Sequence, residues 1–212
     1  AGDGEKHTGA TAPAAAPAPA AEKPAPMPPE ATAAPVSKPP RADDKADFVR
    51  VIGKHNPAKP TDPVTLSFGR FSVVKASFDP AKVEGGSAEI QLDPASLTSD
   101  SPKRTSHVQS KDYLDVARFP TITIKIDKVK KTAEHTYTAN AAISAHGVTV
   151  KDWPVTFEVV ETLPDGIRIK GTRAFKRSDF ALGKPETGAT EEERDSTQEA
   201  IEIQLQLTLK QT

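Results

Sequence analysis

Residues 199–210 read EAIEIQLQLTLK. Ile201, Ile203, Leu205, Leu207 and Leu209 alternate there with Glu202, Gln204, Gln206 and Thr208. Successive side chains of a strand point to opposite faces, so this run has one apolar and one polar face. The same period of two recurs upstream. It marks Ile122, Ile124 and Ile126; Val155, Phe157 and Val159; Ala88, Ile90 and Leu92; and Tyr137, Ala139, Ala141 and Ile143. Ile167 and Ile169 open a strand that runs on to Phe175, and an earlier strand covers Phe48 to Ile52. Between Val64 and Phe78 the phase slips twice, which requires bulges or turns near Gly69-Arg70 and near Val73. Asp165-Gly166 suits a tight hairpin. Gly85-Gly86 and His146-Gly147 break other runs. Two stretches predict helix instead. SKDYLDVAR lacks the alternation and suggests a turn or two over 110–117, and Thr190 with Glu193 has capping-box spacing.

About eight strands that are apolar on one face predict an all-β fold, a closed antiparallel barrel with one or two short helices. The inside of such a barrel holds side chains alone or one small ligand. The inward row then supplies a candidate cavity wall: Leu66, Phe68, Ile90, Ile124, Tyr137, Ala139, Ala141, Phe157, Ile169, Ile203, Leu205 and Leu207. Ala139 and Ala141 are small among large neighbours and leave room for an apolar ligand; the alternative is that those neighbours fill the gap.

The first 47 residues are of another kind. They hold 10 of the 20 prolines and 15 alanines, with Met27 and Val36 as their only large apolar side chains. Such a segment buries too little apolar surface to offset the entropy of ordering it, and proline breaks its helical propensity. The expectation is a disordered Pro/Ala-rich tail over 1–47 and a barrel domain over 48–212. The tail is either without a role or a semi-stiff membrane tether. A tether would need a lipidated residue upstream of Ala1. A start at Ala1-Gly2-Asp3-Gly4, without Met, fits a processed, exported protein and a trimmed chain equally.

Chemistry is sparse. With no Cys, a Cys-ligated zinc site, a thiol nucleophile and a disulfide framework are excluded. The five histidines show no ligand spacing, so no metal and no resident cofactor is expected. A net charge of −1 argues against a nucleic-acid partner. Three polar clusters fall at strand ends: Arg104 to His107, Ala145 to Thr149, and Arg177 to Phe180. Arg104, His107, His146 and Arg177 could ring the barrel mouth and hold an anionic or carbonyl head group. Equally, His146 could simply make a turn and Arg177 simply pair with Asp179.

The order of these clusters resembles the YceI-like family. AEIQLDPASLTSDSPKRTSHVQSKDYLDVARFPTITIKIDKV is similar to the family's strand, R-D-x-H-L segment and short helix. Arg104 and His107 match that arginine and histidine; Tyr113, Asp115, Phe119 and Pro120 match the helix. His146-Gly147-Val148-Thr149 resembles its H-G-V-T element, and Arg177-Ser178-Asp179-Phe180 its R-s-D-F element. Thr105 stands where the family usually has Asp, Val108 where it has Leu, and Ala181-Leu182 intervene before Gly183. The opening W-x-x-D-x-x-H-S pattern is absent. The resemblance covers about residues 48–210. It implies a lipocalin-like barrel with a helical cap, export to the bacterial periplasm or envelope, and non-catalytic binding or transport of an isoprenoid lipid or quinone. Two alternatives stand beside it: an envelope barrel with a filled core and no ligand, and a small-lipid-modifying enzyme with His107 or His146 as general base. Oligomeric state is not legible.

Overall fold

The computed structural model describes residues 46–185, 187–188 and 190–212. The expected tail therefore lies outside the described residues except at its end, where Asp47 accepts from the Thr208 amide (2.9 Å) and hydroxyl (2.8 Å).

Among the described residues ten strands and one α-helix follow in the order β1 (Phe48–Gly53), β2 (Val64–Phe68), β3 (Phe71–Asp79), β4 (Lys82–Leu92), β5 (Leu97–Thr98), α1 (Pro102–Gln109), β6 (Ile122–Lys131), β7 (Thr136–Ala145), β8 (Val148–Leu163), β9 (Gly166–Lys176) and β10 (Ala200–Lys210), with single 3₁₀ turns at Pro94–Ser96 and Arg177–Phe180. They form one antiparallel sheet ordered β3-β4-β6-β7-β8-β9-β10-β1-β2-β5. The two ends of this list are joined by the chain itself. β2 and β3 are one run bent at Gly69-Arg70, and β4 and β5 are its consecutive partner. The ladder crosses the bend, since Gly69 donates to the Ser96 carbonyl (3.1 Å) and Asp93 to that of Arg70 (3.1 Å). Phe68 opposes Leu97 on one side of the corner and Phe71 opposes Leu92 on the other. The ten strands are thus eight passes of chain that close into a barrel. The expected slips are present: the bend at Gly69-Arg70, and a register shift between Val73 and Lys75.

The last strand keeps its register for eleven residues against β9, from Ala200 opposite Lys176 to Lys210 opposite Gly166. Its apolar row faces inward. At the Leu207 end the interior is packed solid, with Val49, Ile90, Ile167, Ile169 and Leu207 at most 2% exposed. Towards the other end the inward residues Val51, Ile143, Trp153, Phe175 and Ile203 are only half-buried, and the barrel is hollow there.

Both helix expectations need correction. The helix lies over Pro102–Gln109, one segment early, and 110–119 consists of turns. Ser101 caps it by accepting from the Arg104 amide, and Pro102 occupies its first turn, where a missing amide is harmless. Gln109 ends it by donating to the carbonyls of Ala95 and Leu97, both at 2.9 Å. At Thr190 the capping-box bonds do form, with Thr190 and Glu193 exchanging amide and side chain at 3.3 Å in both directions. They close only a turn, because the chain is drawn into the barrel end at Asp195.

Candidate functional site: an apolar cavity at one end of the barrel

The hollow is a cavity of about 580 Å³. Every strand except β3 contributes to its wall. Val51, Leu66, Phe68, Ile124 and Ile203 come from the strands, and Trp153 and Phe175 add aromatic surface. Val108 and Leu114 close it from α1 and the turns that follow. The polar part of the lining is basic. It includes Lys54, His55 and Lys59 from the β1–β2 loop, Lys103, Arg104 and His107 from α1, and Ser196 and Thr197. Among the described residues no Asp or Glu lines it.

Of the twelve residues expected on the cavity wall, Leu66, Phe68, Ile124 and Ile203 line it. Ile90, Tyr137, Ala139, Ala141, Phe157, Ile169 and Leu207 lie in the packed core, and Leu205 is half-buried against it. The space expected at the small residues is taken up by cross-strand partners. Trp153 sits opposite Ala141 and Val155 opposite Ala139, and Tyr137 stacks on Phe157 with centroids 5.6 Å apart.

The four expected mouth residues separate. Arg104, His107 and Arg177 line the cavity, and His146 does not. Arg104 pairs with Asp100 in the next turn of chain, and the His107 ring meets Tyr113 edge-on at 4.9 Å. Thr105, in the place of the family's Asp, accepts from the Ser99 amide (3.0 Å).

Arg177 reaches the cavity wall with its guanidinium held by the protein, and His146 makes a turn. Arg177 is 1% exposed. It donates to four carbonyls: Gln198 (2.8 Å), Leu182 (2.8 Å), Lys184 (3.2 Å) and Thr197 (2.9 Å). Its ion-pair partners are Asp195 (3.3 Å) and Glu199 (3.5 Å), and Asp179, the expected partner, caps the Lys176 amide instead. Asp195 in turn accepts from the Tyr113 hydroxyl and the amides of Lys184 and Thr197. Burial, with Asp195 hydrogen-bonded beside it, pushes the Tyr113 hydroxyl above the ordinary phenol range. This network pins the excursion between β9 and β10 across the barrel end. Gly183 (φ 69°) lies against it so closely that a Cβ there would sit 2.3 Å from Asp195. His146 and Gly147 make the β7–β8 turn with positive φ at both positions (50° and 74°). The His146 ring packs edge-on to Phe119 at 5.1 Å, and its Nδ1 lies 3.2 Å from the Phe180 carbonyl oxygen. A Cβ on Gly147 would meet the Phe119 ring at 2.8 Å. The H-G-V-T and R-s-D-F elements thus hold the cap on the barrel.

Sequence reasoning missed the β1–β2 loop. His55 Nδ1 is 2.6 Å from Asp62, which also accepts from the amides of His55 (3.0 Å) and Lys59 (2.7 Å). These bonds, the Lys59 amide foremost, hold the Asp62 carboxyl down at about 2. A carboxyl lowered from 3.8 contributes stability that is complete above that value and disappears as pH falls through about 2. Asp62→Asn should therefore melt below the wild type at pH 6, and the gap should close by about pH 2. A gap independent of pH would refute this role for the carboxylate. Nothing in the sequence pairs residues 55 and 62. Trp153, by contrast, shares the parity of Val155 and Phe157, so its inward direction was legible.

The site is thus a capped apolar cavity in a closed eight-pass barrel. The family model for the YceI-like domain matches residues 42–209, and the chain belongs to that family. A UPF0312 protein of Pseudomonas syringae pv. syringae is 40% identical over 73 residues, 34% of this chain and 38% of that protein. One from Pseudomonas fluorescens is 39% identical over 82 residues, 39% of this chain and 41% of that protein. These alignments span about two fifths of the relatives' length. Among solved structures, Burkholderia cenocepacia BcnA superposes with a TM-score of 0.63 at 24% identity, over 77% of this chain and 96% of that one. A structure described as a polyisoprenoid binding domain from Saccharophagus degradans, implicated in plant cell wall breakdown, gives 0.57 at 13% identity, over 80% and 97%. At these identities the likeness is one of fold.

Proposed function

We propose that the protein is a non-catalytic carrier of the bacterial envelope that holds an amphiphilic isoprenoid lipid or quinone in its barrel. The observation that carries this reading is the cavity. Its volume of about 580 Å³ lies within the usual range of roughly 300–1,000 Å³ for small-molecule sites. Its wall is apolar with a few polar groups at one side, which suits a molecule with a long apolar part and one head. Removing that apolar part from water stabilises the complex by about 25 cal/mol per Å². The Saccharophagus degradans domain of the same fold, named for polyisoprenoid binding, supports the ligand class. Export, and anchoring through the first 47 residues, belong to the proposal as well.

A hydrolytic or transfer reaction has less support. His107 packs on Tyr113 and His146 is engaged with Phe180, and neither pairs with a carboxylate among the described residues. Native mass spectrometry of gently purified protein tests the carrier reading. A homogeneous adduct that partitions into organic solvent is expected. A clean apo mass, with no uptake of added farnesol or of a short-chain ubiquinone, would refute the reading and leave the barrel as a structural shell.

A further inference from the structure

The inward row of β1 ends on a histidine. Val49 is buried in the core, and Val51, Gly53 and His55 line the cavity in turn. His55 lies one bridge beyond the strand, opposite Thr197, which is also a lining residue. The backbone there is tied to the excursion between β9 and β10. Asn56 donates to the Ser196 carbonyl (2.8 Å), and Gln198 donates to the carbonyls of Lys54 (2.9 Å) and His55 (3.1 Å). The ring is held as well, with Nδ1 at 2.6 Å from Asp62 and the side chain 18% exposed. His107, the other histidine of the lining, has no carboxylate on its ring among the described residues.

A carboxylate only accepts, so the hydrogen of the His55–Asp62 bond belongs to Nδ1, and Nε2 is the open position of the ring. No described residue bonds to Nε2. Nor is it sealed off: among the described residues, the side-chain nitrogens and oxygens buried without a partner are the Nε atoms of Arg168 and Arg173. The polar side of the cavity therefore presents an imidazole that is fixed at one nitrogen and available at the other. Nε2 accepts a hydrogen bond when the ring is neutral and donates one when it is charged. A hydroxyl satisfies both forms, because it donates and accepts. A carbonyl satisfies only the charged ring, and an ether oxygen likewise cannot donate.

We infer that His55 receives the head of the ligand through Nε2, and that this head carries a hydroxyl: an alcohol, a phenol or a quinol in preference to a quinone. Its apolar part then lies in the hollow, against the apolar wall. This rests on the carrier reading above and narrows its ligand by the head group.

Two matched pairs of probes test it: farnesol against farnesyl methyl ether, and decylubiquinol, kept reduced with dithionite, against decylubiquinone. Affinities for the full chain are read by calorimetry. In at least one pair the hydroxyl member should bind about tenfold more tightly than its mate, the contribution of one hydrogen bond. His55→Phe should bring the two members of that pair to equal affinity and leave the mate's binding unchanged, with a far-UV spectrum like the wild type. The ring nitrogen resonances of His55 in the wild type give the same answer without a variant. They should shift with the hydroxyl member and stay in place with its mate; unmoved resonances with both overturn the inference. Equal binding within each pair, or a preference that survives in His55→Phe, also overturns it and leaves the carrier reading intact, since a ligand is still taken up. Binding of none of the four overturns the inference too, and the carrier reading falls with it only if the native mass is that of the bare protein.

Discussion

Arg177→Met should lower the thermal midpoint by roughly 6–20 °C, the consequence of about 3–5 kcal/mol lost when a buried ion pair is broken on one side. The size follows from what remains behind. Asp195 is 5% exposed and would be left without its cation, and the carbonyls of Leu182, Thr197, Lys184 and Gln198 would each lose a donor. The excursion between β9 and β10 carries Ser196 and Thr197 of the cavity lining, so ligand uptake should fail with it. Arg177→Met/Asp195→Asn should recover part of the loss, because the stranded charge is gone. A fully folded Arg177→Met with wild-type melting and selectively weakened binding would show that Arg177 is a ligand contact after all. Arg104→Met gives the contrast. Its partner Asp100 is largely exposed, and exposed pairs contribute about 0–1 kcal/mol, so its melting should hardly change.

The barrel was legible because its signal is local and repeats. A strict period of two identifies a strand and its inward face without knowledge of its neighbours, and β10, β6 and the bent run from Val64 to Phe78 were read that way. The helix was misplaced because its signals are a cap and a proline, Ser101-Pro102, with no apolar face to show periodicity; none of its residues is buried. Parity says which residues face inward. It does not say at which height the interior is full. Tyr137, Ala139, Phe157, Ile169 and Leu207 face inward as expected, yet they fill the closed end, while Val51, Trp153 and Phe175 face the hollow. That difference depends on which large side chain stands across from each small one, as Trp153 does from Ala141, and cross-strand register is not written in either strand alone. The strand-end clusters were legible only in part, for a related reason. Arg and His near turns suit a ligand site and a cap equally: Arg104, His107 and Arg177 all line the cavity, yet four carbonyls hold Arg177 and His146 lies in a turn.

Two enlargements of the inner row should therefore act in opposite directions. Val51→Trp adds bulk where Val51 is half-buried and lines the cavity. The indole has empty space to enter, so the melting temperature should hold or rise, as cavity filling typically contributes about 0.5–2 kcal/mol. The same ring occupies the volume a ligand chain needs, so co-purified lipid and added farnesol should both disappear from the native mass spectrum. Ala139→Phe adds similar bulk where Ala139 is 5% exposed, opposite Val155 and beside the Tyr137–Phe157 stack. Overfilling a packed site costs about 1–3 kcal/mol, and the variant should melt lower while still taking up farnesol, because the hollow lies elsewhere. Measured together by calorimetric melting and native mass spectrometry, the pair locates the hollow from both sides. The reverse pattern, a destabilised Val51→Trp that still binds and a stable Ala139→Phe that does not, would move the ligand to the Ala139 end of the barrel.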